Sequence, residues 1–593
     1  MGAVQVIAAA MQEEKTITDA ESPAPAREPA AGVFPPAAPL PSGAVFLRLM
    51  GVDYVRFRAA DGGDLYVTEH GLPFFEHLQP QNWYEATWFK QNRQLLAGSG
   101  TVYRVPTRPV ARHATPSIPL VVKWSRVGQD VPLNTLAIDT AINADFNTPF
   151  EEFSLLEELR TARIGPGGFR MLTQRPLAIY IPPERLQLWQ TGRSRDKMVS
   201  KGIRHPGIEI DILRSYILLY GWIDGIDAVE AQNRHLFDGV IPGDALGTLT
   251  SRVLDELNDK GFTVVDHKPT HAIVRIHRGK LARRGDGNVA CAIVDYELLL
   301  RTPTHDQQVK TAARSRYLWL QKDRFHPAGA PAMPRNLEQT RMLGVDYVYG
   351  EAASTGGTLW VVGDDPRLFD YFLPERWRSS KISLSASGRT WYARTKDGIH
   401  LVWKISRVGA VPNVDAPPAA QHAMIEFGYN SPFEKFDLAL EMSRRGIRAA
   451  YPRAIYATGA LPEFERPLQD TRRFWQYCDD LAPDGRPALQ ESAEYVTIWG
   501  YWRGSEDQDA PASTIDWSPI GAGQARAMGL LTQVQLEELA ARHRGMLRAA
   551  GYEDLSPDFD HILLSFIPEG AIKRDAGGQI ETRHCNFELV RRI

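Results

Sequence analysis

The chain repeats itself, in order, over most of its length, and this limits the possible folds more than any single motif does. LMGVDYV at Leu49–Val55 returns as MLGVDYV at Met342–Val348, and GGDLYV at Gly62–Val67 returns as GGTLWV at Gly356–Val361. Each of the latter pair is followed by a Phe-rich segment and a Pro-x-x-Trp. LVVKWSRVG (Leu120–Gly128) matches LVWKISRVG (Leu401–Gly409), and FNTPFEEFSLLEEL (Phe146–Leu159) matches YNSPFEKFDLALEM (Tyr429–Met442). YILLYGWIDG (Tyr216–Gly225) matches YVTIWGYWRG (Tyr495–Gly504), and VDYELLLR (Val294–Arg301) matches CNFELVRR (Cys585–Arg592). An unbroken series of this kind means two copies of one unit. It predicts one domain over residues 42–303 and a second over 338–593, joined by a helical linker over 304–337. What both copies keep is expected to be fold, and what one copy loses is expected to be chemistry.

Composition sets the outer limits. The chain has 593 residues, 43% of them hydrophobic and 23% charged, with a formal net charge of −3, so bulk nucleic-acid binding is not the expectation. Cys291, Cys478 and Cys585 are too widely spaced for a disulfide framework or a zinc motif, and a reducing cytoplasm is the simplest compartment for them. No apolar run has the length of a membrane span. Residues 1–41 form an Ala/Pro-rich stretch and are expected to be a disordered tail.

Within a copy the pattern is α+β. Thr101–Val105 and Leu120–Trp124 alternate as strands do, and Ala178–Ile181 and Tyr216–Tyr220 are rich in β-formers. Asn147-Thr148 followed by Pro149 is a helix start, and Phe153, Leu156 and Leu159 form its apolar stripe. Asp244–Lys260 has helical spacing and ends at Gly261.

The chemistry-bearing stretch is Gly261–Leu298, which reads as strand, loop, strand, basic turn, strand. Asp266, Lys268 and His271 stand in its first loop, and Asp295 ends its last strand. Phosphoryl transfer needs such a set: one carboxylate to orient an acceptor, one to hold a divalent ion, and a lysine to neutralise charge. The basic stretches Thr191–His205 and His277–Gly285 could steer an anionic substrate or could be solvated loops; no stacking aromatics accompany them.

Taken together these segments resemble the protein-kinase-like fold. Gly98 and Gly100, in AGSGTVYRV, look like that family's glycine-rich hairpin over the phosphates. Lys123 stands where the family keeps its phosphate-binding strand lysine, and Glu158 stands where the glutamate paired with that lysine sits. Tyr220 and Gly221 resemble the hinge strand that holds the adenine. Asp266 and Lys268 match the catalytic-loop pattern, Asp295 the metal-binding aspartate, and His271 the second metal ligand, where the family has asparagine. The resemblance implies two kinase-like domains, each with a five-stranded antiparallel sheet, one key helix and a reduced helical and β C-lobe. It implies ATP and Mg²⁺ or Mn²⁺ as cofactors, with Mn²⁺ favoured by the imidazole at 271.

The departures from the family pattern are specific. Val264 replaces the catalytic-loop histidine, and Glu297 replaces the glycine of the metal motif. Almost nothing follows Asp295 before the linker, so the substrate-binding helical half is missing. The second copy keeps Lys404 and Glu441 but has Asn586 for the metal aspartate; alignment through His561 puts Ser556 opposite Asp266, whereas a register starting at Asp554 would restore a base. Two functions follow as expectations. In one, the first copy transfers phosphate from ATP to an unidentified small or protein acceptor. In the other, the chain is a non-catalytic tandem pseudokinase that serves as a scaffold or assembly subunit.

Overall fold

A computed structural model describes residues 43–593 apart from 97–100, 111–115, 132–143, 163–170, 206–207, 209, 238–241, 331, 335, 353–354, 379–380, 385–388, 396, 414–416, 460–467, 503–517, 568–569 and 576. The described residues fall into two compact units that divide between Val309 and Lys310.

In the first unit the strands β1 (Val45–Leu49), β2 (Val52–Arg58), β3 (Asp64–Thr68), β4 (Gln94–Leu95), β5 (Val102–Pro106) and β6 (Pro119–Trp124) come first. Helix α1 (Pro149–Thr161) and β7 (Leu172–Thr173) follow, then β8 (Pro176–Ile181) and β9 (Ile217–Gly221). All but β7 join one eight-stranded sheet, ordered β1-β2-β3-β8-β9-β6-β5-β4, with antiparallel neighbours throughout. The sheet is larger than the five strands predicted, because the repeated hairpin β1–β2 and its partner β3 extend it beyond β8. That hairpin turns on Met50 and Gly51, both at positive φ, which matches the twist of the flanking strands.

Both faces of the sheet are covered, which is why β8 is buried along its whole length. On one face, Trp83, Leu78 and Phe89 pack against Leu65, Val67, Leu120, Val122 and Leu219. The Trp83 ring N–H donates to the Leu78 carbonyl oxygen at 2.9 Å, so the buried indole is paired. On the other face α1 buries Phe150, Phe153, Leu156 and Leu159. The helix starts with a complete capping box between Thr148 and Glu151, then Pro149 in its first turn.

Below the sheet lie β10 (Ile226–Asp227), helix α2 (Pro242–Asp259), β11 (Phe262–Val264), β12 (Ala272–Val274), the short strands β13 (Ile276–His277) and β14 (Lys280–Leu281), β15 (Cys291–Ile293) and β16 (Leu299–Arg301). Here β11 pairs with β16 and β12 with β15, while β7 joins β15 in parallel. Gly261 ends α2 at φ +81°, where His305 stands 2.3 Å from the position a Cβ would take.

Helix α3 (Pro303–Lys322) occupies most of the expected linker, but it is not a free connector. Its later residues Tyr317 and Leu320 belong to the second unit's core, with Phe372 and Trp377. The strands that follow are β17 (Leu337–Met342), β18 (Val345–Ala352), β19 (Gly357–Val362), β20 (Ile382–Ser383), β21 (Thr390–Arg394) and β22 (His400–Ile405). Then come helix α4 (Pro432–Arg444), β23 (Pro452–Ala457), β24 (Tyr495–Gly500) and β25 (Ser518–Gly521). Helix α5 (Gln533–Ala549), β26 (Tyr552–Asp554), β27 (Ile562–Phe566), β28 (Arg583–His584) and β29 (Val590–Arg592) complete the unit. Its large sheet runs β17-β18-β19-β23-β24-β22-β21-β20, the same order as in the first unit. The details repeat as well: Leu343-Gly344 form the positive-φ turn, Trp377 donates to the Phe372 carbonyl oxygen at 2.8 Å, and Ser431 and Glu434 cap α4.

One buried amide joins the upper and lower parts of each unit. The Asn147 side chain donates to the carbonyl oxygens of Tyr296 (3.2 Å) and Leu299 (2.9 Å), and its own N–H donates to the Glu297 carbonyl oxygen. Asn430 does the same to Phe587 (2.9 Å), Val590 (2.8 Å) and Glu588. Replacing Asn147 by alanine leaves two buried carbonyl groups without that donor. We expect Asn147→Ala to destabilise the first unit by about 1–3 kcal/mol, read as a lower urea midpoint, and Asn430→Ala to do likewise in the second.

Candidate functional site

Lys123 sits on β6, opposite Leu218 of β9, and is 5% exposed. An ammonium this deeply buried is tolerable only when carboxylates surround it. Its Nζ lies 2.7 Å from Asp295 Oδ1, 3.1 Å from Glu152 Oε1 and 3.5 Å from Glu297 Oε2. The Tyr220 hydroxyl donates to Glu152 Oε1 at 2.6 Å. Arg126 lies 3.2 Å from Glu297 Oε1, with its guanidinium over the Phe146 ring. The cluster thus holds two cations and three carboxylates. Burial works against every charge in it. For Lys123, Asp295 and Glu152 more than offset that effect and raise its pKa well above the usual lysine value. Asp295 is pushed up by burial but held at about 2 by Lys123, His271 and the Glu297 N–H. Glu297, on which Asp295 and Glu152 also press, is raised by burial to about 7.

Asp295 has φ +70°, a left-handed conformation unusual for a residue other than glycine. Such strain tends to gather where a side chain must be aimed. The second carboxylate oxygen of Asp295 lies 3.6 Å from His271 Nε2. His271 is 4% exposed and neither of its ring nitrogens makes a hydrogen bond. Burial lowers its pKa, against the opposing fields of Asp295 and Asp266; Lys268 and Lys123 also reach it. Asp266 and Lys268 pair with one another at 3.0 Å. Next to His271, His267 is lowered to about 4, chiefly by burial.

Lys123, Asp266, Lys268, His271 and Asp295 therefore gather in one place. Glu158 does not join them: it binds Arg301 (2.6 Å) and His305 (2.9 Å). The carboxylate on Lys123 is Glu152, which shares a helix face with Leu156 and Leu159, one and two turns on. Tyr220 reaches the cluster through Glu152 rather than through an exposed hinge, and the Gly221 N–H is already donated to the Arg175 carbonyl oxygen at 2.9 Å. Gly98 and Gly100 lie outside the described residues. Sequence reasoning misses Glu152 and Arg126 and takes Glu297 only as a departure from the family's glycine, although the change from Glu152 to Lys435 between the copies is a usable signal.

The second copy keeps the frame and changes the charges. Lys404 Nζ donates to the Cys585 carbonyl oxygen at 2.8 Å, and Lys435, in place of Glu152, lies 2.8 Å from Glu588. Asn586 stands where Asp295 does, so Lys404 turns to a backbone carbonyl and only Lys435 meets a carboxylate. Strand register settles the alignment of the loop: Val264 pairs with Leu299 as Asp554 pairs with Val590, and Ala272 pairs with Ile293 as Ile562 pairs with His584. Asp554 therefore replaces Val264 inside a strand, and Ser556 faces the position of Asp266. His561 is held by Asp554 (2.9 Å) and by Asn586. His543 and His584 replace the core residues Val253 and Ile293 and meet at 3.2 Å, with their rings stacked.

Among the described residues, no group of three or more His, Cys, Asp or Glu side chains could hold a metal ion. A divalent ion in the first copy would have Asp295 and His271 as protein ligands and would take the rest of its shell from phosphate and water, a usual mode for Mg²⁺ with nucleotides. The His271 imidazole, whose ring nitrogens make no hydrogen bond, suits Mn²⁺ in that role better than Mg²⁺. Compared with models of known protein families and with curated proteins, the chain matches none.

Burial depresses His543 to about 4 and His584 to about 3. Their unfolded values lie near 6.5, so the unfolded chain takes up protons first and the second unit loses stability as pH falls from about 6.5 towards 4. His543→Val with His584→Ile should reduce that loss by an amount on the order of a few kcal/mol, seen as a shallower fall of the denaturation midpoint over the same range.

Proposed function

We propose that the first unit is a kinase-like, nucleotide-dependent phosphotransferase and that the second is its non-catalytic counterpart. The observation that carries this is the convergence of Lys123, Asp295, His271, Asp266 and Lys268 at one end of β6, β12 and β15, set against the loss of the matching charges at Ser556 and Asn586 and the reversal of Glu152 to Lys435. Direct pairing of the lysine strand β6 with β9, the strand read as the hinge, also supports it.

In this reading Lys123 neutralises phosphate charge, and Glu152 and Tyr220 hold the ammonium in place. Asp266 orients the acceptor hydroxyl and accepts its proton, while Lys268, at 3.0 Å, holds that carboxylate to one side. Asp295 and His271 would hold a divalent ion, which when bound would draw charge from the phosphoryl oxygens. Catalysis would then rest on positioning and charge rather than on a covalent intermediate. The acceptor is a hydroxyl-bearing molecule that needs no peptide-binding lobe.

Lys123→Met is a poor test, because it would leave three carboxylates buried around a gap and unfold the unit. Asp295→Asn copies the second unit's own residue and is the better choice. Thermal unfolding with ATP and Mn²⁺ at about a hundred times the dissociation constant should stabilise the wild type by roughly 2.7 kcal/mol. Asp295→Asn should reduce or abolish the shift. No shift with ATP in either Mg²⁺ or Mn²⁺ would overturn the nucleotide site and favour a scaffold.

A further inference from the structure

The connection between β12 and β15 carries a surface that the site does not use. Residues 275–285 of the first unit hold Arg275, Arg278, Lys280, Arg283 and Arg284 with no acidic residue, whereas the equivalent residues 565–575 hold Lys573 and Arg574 against Glu569 and Asp575. Arg284 is taken up by Glu256 and Asp286. Among the described residues, Arg275, Arg278, Lys280 and Arg283 have no carboxylate partner; the Arg283 guanidinium donates only to the Gly287 carbonyl oxygen at 2.8 Å. Arg275 to Lys280 are exposed in an unbroken run.

The surface is not a loose loop. β13 and β14 pair as Ile276 with Leu281 and His277 with Lys280, closed by Arg278 and Gly279, both at positive φ. Asn, Asp or Gly is the usual residue at the first position of such a turn, and an arginine there costs about 1–2 kcal/mol of backbone strain. Leu281 is buried, and the Ala282 N–H donates to the Arg275 carbonyl oxygen at 2.8 Å, so the hairpin is anchored at its base. Apolar exposure accompanies the charge. Ile276 is 39% exposed, whereas its counterpart Phe566 is 7% exposed and sits in a core cluster with Leu564. The second copy therefore buries and neutralises what the first copy presents.

We propose that this hairpin is the docking surface for an extended acidic peptide segment of a partner protein, with an apolar side chain seated on Ile276 between the arginines. Four unpaired cations on a rigid edge attract carboxylates, and the exposed isoleucine selects a segment with an apolar anchor over a uniform polyanion. A nucleic acid is the poorer fit, because the hairpin offers no Phe, Tyr or Trp on which bases could stack. The surface lies at the far end of β12 from His271, roughly 10 Å away along three strand residues, so docking leaves the site open.

The test uses the full chain and a short fluorescein-labelled peptide that alternates Glu-Asp pairs with leucines, followed by fluorescence anisotropy at physiological ionic strength. The wild type should bind it. Arg278→Glu with Lys280→Glu should weaken binding about tenfold or more, and Ile276→Ser should weaken it several-fold without altering the thermal midpoint. An all-acidic peptide without leucines should bind more weakly than the mixed one. Three results would overturn the proposal: no binding of the mixed peptide, equal binding by the charge-reversed variant, or a single-stranded RNA of similar charge bound as tightly as the peptide. None of these measurements involves nucleotide, so they stand or fall separately from the phosphotransferase reading.

Discussion

The charged cluster around Lys123 depends on a side-chain amide placed just before a helix. Asn147 and Asn430 each bind two backbone carbonyl groups of the segment after Asp295 or Asn586, and each also donates its own N–H to that segment. Helix α1 or α4 is locked to the large sheet by its apolar face, and the lower strands are locked to the helix by the amide. Without this tie the carboxylates of Asp295 and Glu297 would have no fixed relation to the lysine on β6. Both copies keep the tie with nearly the same distances, although they share little of the chemistry that it positions.

On that common frame the two copies carry opposite charge. The first holds Lys123 and Arg126 against Glu152, Asp295 and Glu297, an acidic excess in which burial, helped by Asp295 and Glu152, raises Glu297 to about 7. The second holds Lys404 and Lys435 against Glu588, and burial, together with the neighbouring Lys404 and Arg407, lowers the Lys435 pKa. The first arrangement carries more carboxylates than cations, and the second more cations than carboxylates. Low local polarity magnifies the difference, because charges in a buried cluster are screened far less than the same charges at the surface.

Strands, the capped helix, the helix ending at Gly261 and the shared loop of Asp266, Lys268 and His271 follow from local pattern, whereas Lys123 and Asp295, far apart in the chain, are brought together in the sequence only by the family resemblance. Two things were not legible. The sheet gained strands because the pairing of β3 with β8 joins residues more than a hundred positions apart, and nothing local encodes a partner at that distance. The family register points to Glu158 as the partner of Lys123, but the helix face selects Glu152, which lies on the buried stripe with Leu156 and Leu159, whereas Glu158 lies off it and reaches Arg301. Burial of a charge is set by its phase on the helix, and that phase was written in the sequence.

The polar core of the second copy bears on how a duplicated chain assembles. Two similar units on one polypeptide are open to mispairing, in which a helix of one copy settles on strands of the other. Here such a hybrid would set His543 of α5 against Ile293, or Val253 of α2 against His584, and would bury an imidazole without its partner. Asp554 and His561 add a second mismatch at the position of Val264. The stacked histidines and their aspartate thus act as a lock that only their own copy can fill, and each lobe is steered towards closing on itself.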